Sequence, residues 1–188
     1  MAEDTRERIL AACATVIARS GLAKFRMSDV ARDAGVSIGL LAYHFGDRDG
    51  LLQAALDEVT ASATRRAASV PEARTPAAQL AALLCSEFGE EPGIRAGSTA
   101  WNELRAAAVF DAGRAAAVAR STGAWQRQVG ALVAAADPDR APADAAAAAL
   151  TLTALVEGLS GRWLTGQVTA AEAQEATRGA LANLGLSR

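Results

Sequence analysis

Alanine supplies 49 of the 188 residues, about half of a hydrophobic fraction of 51%. No other feature limits the fold as much. Alanine is the best helix former and gives a pleated sheet little to pack. Aromatic residues make up only 4% of the chain, so large rings cannot dominate the core. The composition predicts an all-α protein of slim, closely packed helices and argues against a β-sandwich. It also argues against a disordered chain, which would carry fewer apolar residues and more net charge than −2. A chain of this length buries a sizeable core without disulfides or structural metals.

Apolar spacing predicts nine helices and no strand. The first spans about Thr5 to Ser20, with Ile9, Cys13, Val16 and Ile17 on one face and Gly21 as its stop. A short helix, Asp29 to Ala34, is expected to be capped by Ser28. Gly35-Val36-Ser37 then forms a turn, and Ser37 caps a second short helix, Ile38 to about Phe45. Two short helices joined by a three-residue turn with Gly are a helix-turn-helix signature. A long helix starts near Arg48 and fades by about Ser69, and the prolines at Pro71 and Pro76 mark a junction. Further helices are expected at 77–88, 93–107 and 112–136. Pro142 suits the first position of a helix running to about Leu164. Thr169 to Glu172 is a capping box that opens the last helix. The expected domains are 1–47, a helix-turn-helix unit completed by the start of the 48–69 helix, and 48–188.

Several function classes are disfavoured. The single histidine, His44, lies in the second short helix, away from any nucleophile arrangement. There is no Walker loop, no GxGxxG and no His/Cys ligand cluster. The chain is therefore expected not to be an enzyme, with no catalytic residue, no metal and no cofactor. Cys13 and Cys85 sit in apolar helical surroundings and read as small buried hydrophobes in a reducing compartment. The N-terminus carries no signal-peptide pattern, and the longest apolar stretch, Ala145 to Val156, is mostly Ala. A cytoplasmic protein without a membrane partner is the expectation.

The most informative stretch is Ser28 to Leu52, SDVARDAGVSIGLLAYHFGDRDGLL. It resembles the TetR family of bacterial transcriptional regulators. The resemblance rests on Val30-Ala31, Ala34-Gly35-Val36-Ser37, Gly39, Leu41, Tyr43-His44-Phe45, Asp47-Arg48 and Leu51-Leu52. Further along, Trp101, Trp125 and Glu157-Gly158-Leu159 resemble the C-terminal domain of the betaine–choline regulator (BetI-like) subgroup. The resemblance implies a homodimeric repressor, released from a palindromic double-stranded operator by a small-molecule effector. A transcriptional activator, or a helical interaction protein of the same fold that does not read an operator, stands as the alternative.

In such folds the first turn of the second helix enters the major groove. Here that turn holds Ser37, Ile38, Gly39 and Leu40. Gly39 allows close approach, and Ile38 or Leu40 is placed to touch thymine methyls. By resemblance, Tyr43 and His44 contact phosphates and Arg48 clamps one at the start of the long helix. Ser28 can present helix N-terminal amides to a phosphate, and Lys24 and Arg26 add charge. The family usually has Tyr where this chain has Ala42, so one aromatic contact is missing. Residues 1–50 hold seven Lys/Arg and seven Asp/Glu. A DNA-facing surface must therefore be locally positive, with Asp29 and Asp33 directed elsewhere.

The last two helices mix glycines with large apolar residues. Gly in a helix costs roughly 1 kcal/mol against Ala, and close approach of a second subunit is a reason to bear it. These helices are the expected homodimer interface. Trp101, Asn102, Phe110, Trp125, Gln128, Glu157 and Trp163 are the candidate effector contacts. Glu157 beside tryptophan would favour a cationic or amphipathic effector.

Overall fold

The structure, a computed structural model, describes residues 2–71 and 74–187. These residues form nine α-helices and no strand: α1 (Ala2–Ser20), α2 (Met27–Ala34), α3 (Ile38–Phe45), α4 (Arg48–Ala68), α5 (Pro76–Cys85), α6 (Pro92–Ala108), α7 (Ala112–Ala136), α8 (Pro142–Leu164) and α9 (Ala170–Asn183). A 3-10 turn, Leu22–Lys24, lies between α1 and α2. The expected junction at 70–76 falls partly outside the described residues. Packing groups the chain into two compact units, Met1–Val59 with Glu91–Ala119, and Thr60–Glu90 with Arg120–Arg188.

In the first unit, α2 and α3 are eight residues each. Helices this short are not stable alone in water, so tertiary burial must hold them. They contribute Val30, Ala31, Ala34 and Leu41 to a core shared with Ile9, Cys13, Val16 and Ile17 of α1 and Leu51, Leu52 and Leu56 of α4. The same core takes in Ala100, Trp101 and Leu104 of α6, which packs along α1. Sequence pattern alone had placed α6 with the C-terminal elements. Gly35 ends α2 in the left-handed region at φ 65°, where the missing Cβ removes the usual penalty. Its amide donates to the Arg32 carbonyl and that of Val36 to the Ala31 carbonyl, a Schellman stop.

One expectation fails at α2. Ser28 does not cap it; the helix begins two residues earlier. Arg26 is already extended at the N-cap, and its carbonyl accepts from the Asp29 and Val30 amides. Ser28 is left exposed in the first turn.

In the second unit, α5, α8 and α9 pack on one another. Leu80, Leu84, Phe88, Leu152, Val156 and Leu181 are buried there. α8 has the length and mean hydropathy, 1.2, of a membrane-crossing helix. Core helices meet the same criterion, and α8 buries one face, including Ala149, Leu152, Val156 and Trp163, in this unit. Phe88 meets Trp163 edge-on with ring centroids 5.9 Å apart. The α9 capping box forms as expected: Thr169 Oγ1 accepts from the Glu172 amide, and Glu172 Oε2 accepts from the Thr169 amide at 2.8 Å.

The segment after α5 is tied down by side chains that satisfy its carbonyls. Arg66 donates Nε and Nη2 to the Ser86 carbonyl at 3.1 and 2.8 Å. Gln174 of α9 donates to the Phe88 carbonyl at 2.9 Å. Burial raises the Glu87 carboxyl from 4.5 to about 7, with the nearby Arg66 charge acting against the rise. The folded protein thus holds this proton more tightly than the unfolded chain does. Its contribution to stability is complete below pH 4.5, declines as pH rises toward about 7 and is flat above that. Urea unfolding at pH 5 and pH 7.5 should show that decline, and Glu87→Gln should flatten it.

Candidate nucleic-acid interface

α3 splits cleanly into an anchored side and a displayed side. Leu41 is fully buried, while Ile38 is 56% and Tyr43 82% exposed. Gly39 and Ala42 are also exposed, and Leu40, His44 and Phe45 are half-buried. Apolar surface left in water, as at Ile38, is unfavourable, and burial against another surface would relieve it. Ser37 caps the helix as expected: its Oγ accepts from the Leu40 amide at 3.1 Å. Tyr43 and His44 rings meet edge-on at 5.3 Å.

The turn into α4 fixes where α3 ends. The Asp47 carboxylate accepts from the Gly50 amide at 2.9 Å and so caps α4. A Cβ at Gly50 would run into the carbonyl oxygen of Phe45. Only glycine fits this crossing, a requirement that the sequence did not reveal.

Residues 1–50 are neutral in sum, and two of their carboxylates are paired. Asp33 pairs with Arg19 at 2.9 Å and Asp29 with Arg32 at 3.0 Å. Lys24 and Arg26 are exposed, and among the described residues no carboxylate pairs with either. Two further arginines escaped the sequence reading because their partners are distant in the chain. Arg6 lies over the Phe45 ring, 5.7 Å from its centroid. Arg8 donates to the Ala34 carbonyl at 3.0 Å, at the end of α2.

Arg48 is engaged within the unit. Its Nη2 donates to the Leu22 carbonyl at 3.4 Å, and its guanidinium lies 5.5 Å from the Phe25 ring centroid. It also stands 3.9 Å from Asp49. The Cys13 thiol is pushed up to about 12 by burial, and the Arg48 charge acts in the opposite direction.

The candidate effector residues divide between the units. Trp101, Asn102 and Phe110 belong to the first. Trp101 is part of its apolar core, Asn102 donates to the Ser98 carbonyl one turn back, and Phe110 is 90% exposed after α6. Trp125, Gln128, Glu157 and Trp163 belong to the second. Gln128 donates to Thr64 Oγ1 at 3.0 Å, Glu157 is half-buried and Trp163 packs on Phe88. Trp125 is buried, and its indole N–H has no hydrogen-bond partner among the described residues.

Residues 9–55 match the profile of bacterial regulatory proteins of the tetR family, and residues 76–185 that of the BetI-type transcriptional repressor C-terminal domain. The chain belongs to the TetR family. A crystal structure described as a TetR-family transcriptional regulator from Rhodococcus sp. is 38% identical with a TM-score of 0.88, over 98% of this chain and 99% of that one. A transcriptional regulator from Saccharomonospora viridis, solved with choline, shares the fold at 21% identity and a TM-score of 0.74, over 95% of this chain and 96% of that one. The regulator BetI of Burkholderia mallei (strain NCTC 10229) is 34% identical over 94 residues, 48% of this chain and 47% of its own length. This TetR-family chain thus spans about half the length of the curated relatives it matches. The family is one of transcriptional regulators and not of enzymes.

The division of α3 gives a direct test. Leu41→Ala should cost about 2–5 kcal/mol of stability, the usual range for a fully buried leucine. Ile38→Ala should change stability by less than about 0.5 kcal/mol. Gly50→Ala should lower the melting temperature clearly despite alanine's better helix propensity, because the Phe45 carbonyl must move. Thermal unfolding followed by circular dichroism reads all three.

Proposed function

We propose that this TetR-family protein is a homodimeric repressor that binds a palindromic operator and leaves it when a small-molecule effector binds. The observation that carries the reading is α3: a capped helix held by the buried Leu41, with Ile38, Gly39 and Tyr43 displayed. Along the chain, 1–47 serves DNA binding, and 48–188 serves effector binding and dimerisation. Ser37, Ile38, Gly39 and Leu40 read bases in the major groove. Tyr43 and His44 contact phosphates, joined by Lys24, Arg26 and the α2 amides around Ser28.

Dimerisation runs through α8 and α9. Leu150 is 58% exposed. Ala147, Ala154 and Gly158 lie exposed on the same stripe of α8, and Ala176 and Gly179 lie exposed on α9. A Cβ at Gly158 or Gly179 would meet nothing within 4 Å. Packing within the protomer does not require these glycines, whereas a helix approaching from a partner subunit would. Two-fold pairing sets the recognition helices roughly 34–36 Å apart for successive major grooves.

For the effector, a small organic cation is favoured. The half-buried Glu157 supplies charge, and Trp125 supplies a ring and an unmet N–H. Choline, present in the Saccharomonospora viridis structure, is the first compound to try. Such a ligand shifts the protein away from its DNA-binding form only by its difference in affinity between the two forms. The protein works in the cytoplasm, where its DNA is.

A gel shift on DNA upstream of its own gene, over a range of salt, tests the reading. Sequence-selective binding should weaken with salt, and Arg26→Ala should reduce the log–log salt slope by about 1. Tyr43→Ala should weaken binding without changing that slope, because tyrosine is neutral. Binding that shows no sequence preference at moderate salt would favour an interaction protein instead. Sedimentation at micromolar concentration should give the mass of two chains.

A further inference from the structure

The peptide groups at Leu22 are held from two directions. The Leu22 amide donates to Glu103 Oε2 of α6 at 2.8 Å, across 81 positions of sequence. The Leu22 carbonyl accepts from Arg48 Nη2 at 3.4 Å. Arg48 is the first residue of α4, separated from the end of α3 by two residues. Its guanidinium also lies over Phe25, which is buried. Gly21 precedes this grip at φ 73° and ψ 159°, a conformation that glycine adopts and other residues avoid.

We infer that Glu103 and Arg48 are positioning residues for operator binding: acting through the Leu22 backbone, they fix the α3–α4 junction against α6. The inference rests on the DNA-binding reading above. It gives Arg48 a different task from the phosphate clamp that the family resemblance implies. A guanidinium over Phe25, with one N–H bonded to a carbonyl and 3.9 Å from Asp49, is held by partners within the protein. Lysine has the same charge but no planar group that lies over Phe25 while donating to Leu22, so the task favours arginine. Glu103 has no route to DNA of its own. Its effect on operator affinity would have to pass through Leu22.

Four variants on the full-length protein test this: Arg48→Ala, Arg48→Lys, Glu103→Ala and Glu103→Gln. Circular dichroism confirms folding, and Glu103→Gln, which keeps an acceptor oxygen, stands in if the alanine variant unfolds. Operator affinity should fall about tenfold in Arg48→Ala and Glu103→Ala, the size expected for losing one charge-assisted hydrogen bond. The salt slope should stay at the wild-type value in both. Arg48→Lys should resemble Arg48→Ala, and Glu103→Gln should be intermediate. The double alanine variant should lose less than the product of the two single losses, because both act on one peptide segment. A slope reduced by about 0.9 in Arg48→Ala and restored in Arg48→Lys would make Arg48 a phosphate contact and overturn the inference. So would wild-type affinity in both Glu103 variants.

Amide hydrogen exchange on the free protein separates this inference from the regulator reading. Glu103→Ala should speed exchange at 21–25 and also at 46–51. Faster exchange at 21–25 alone would mean that the grip stops at Leu22, and the inference would fail without any DNA present. Coupled exchange in a protein that binds no operator would sink the regulator reading while leaving the mechanical link intact.

Discussion

Two eight-residue helices cannot hold themselves together, and the first unit is arranged around that constraint. Each helix buries only a few side chains, and the surfaces that receive them come from much longer helices. α1 supplies one wall, the start of α4 a second, and α6 covers α1 with Ala100, Trp101 and Leu104. The short helices α2 and α3 therefore depend on a helix that begins about fifty residues after α3 ends. A division by function near residue 47 and a division by packing need not coincide. Here the packed unit takes in residues 91–119, well past that point.

Charge follows similar logic. A neutral N-terminal region attracts a polyanion only if its carboxylates are already satisfied. Asp29 and Asp33 are satisfied by Arg32 and Arg19, which leaves Lys24 and Arg26 to set the local potential. Net charge counts every group equally, whereas an incoming phosphate is steered by the unpaired ones. An acidic sequence pI of about 5.5 therefore does not by itself fix the potential around Lys24 and Arg26.

Local chemistry was readable from the chain. The Gly35 turn, the Ser37 cap, the Pro142 start and the Thr169–Glu172 capping box each involve residues within a few positions of one another. Helical spacing also puts Leu41 and Tyr43 on different faces of α3, as their burial shows. What escaped was set over distance. The early start of α2 was missed because Ser28 is a good cap and nothing local marks Arg26 as the residue that turns the chain. Trp101 stands out because tryptophan is scarce here, and α6 delivers it to the core shared with α2 and α3. Gly50 and Glu103 gave no signal, since their partners, the Phe45 carbonyl and the Leu22 amide, are backbone groups. Backbone groups are present at every position and leave no mark in a sequence.

Cys13 acquires a use from its surroundings. It sits at the centre of the first unit with no exposed surface, and its thiol ionises only near pH 12. Thiolate is the reactive form, so oxidants and alkylating reagents at neutral pH meet an inert sulfur as long as the unit is closed. Reaction would have to wait for an opening that lifts α1 from its neighbours. The native chain thus carries its own clock. The rate at which Cys13 is labelled counts how often the core behind α3 comes apart.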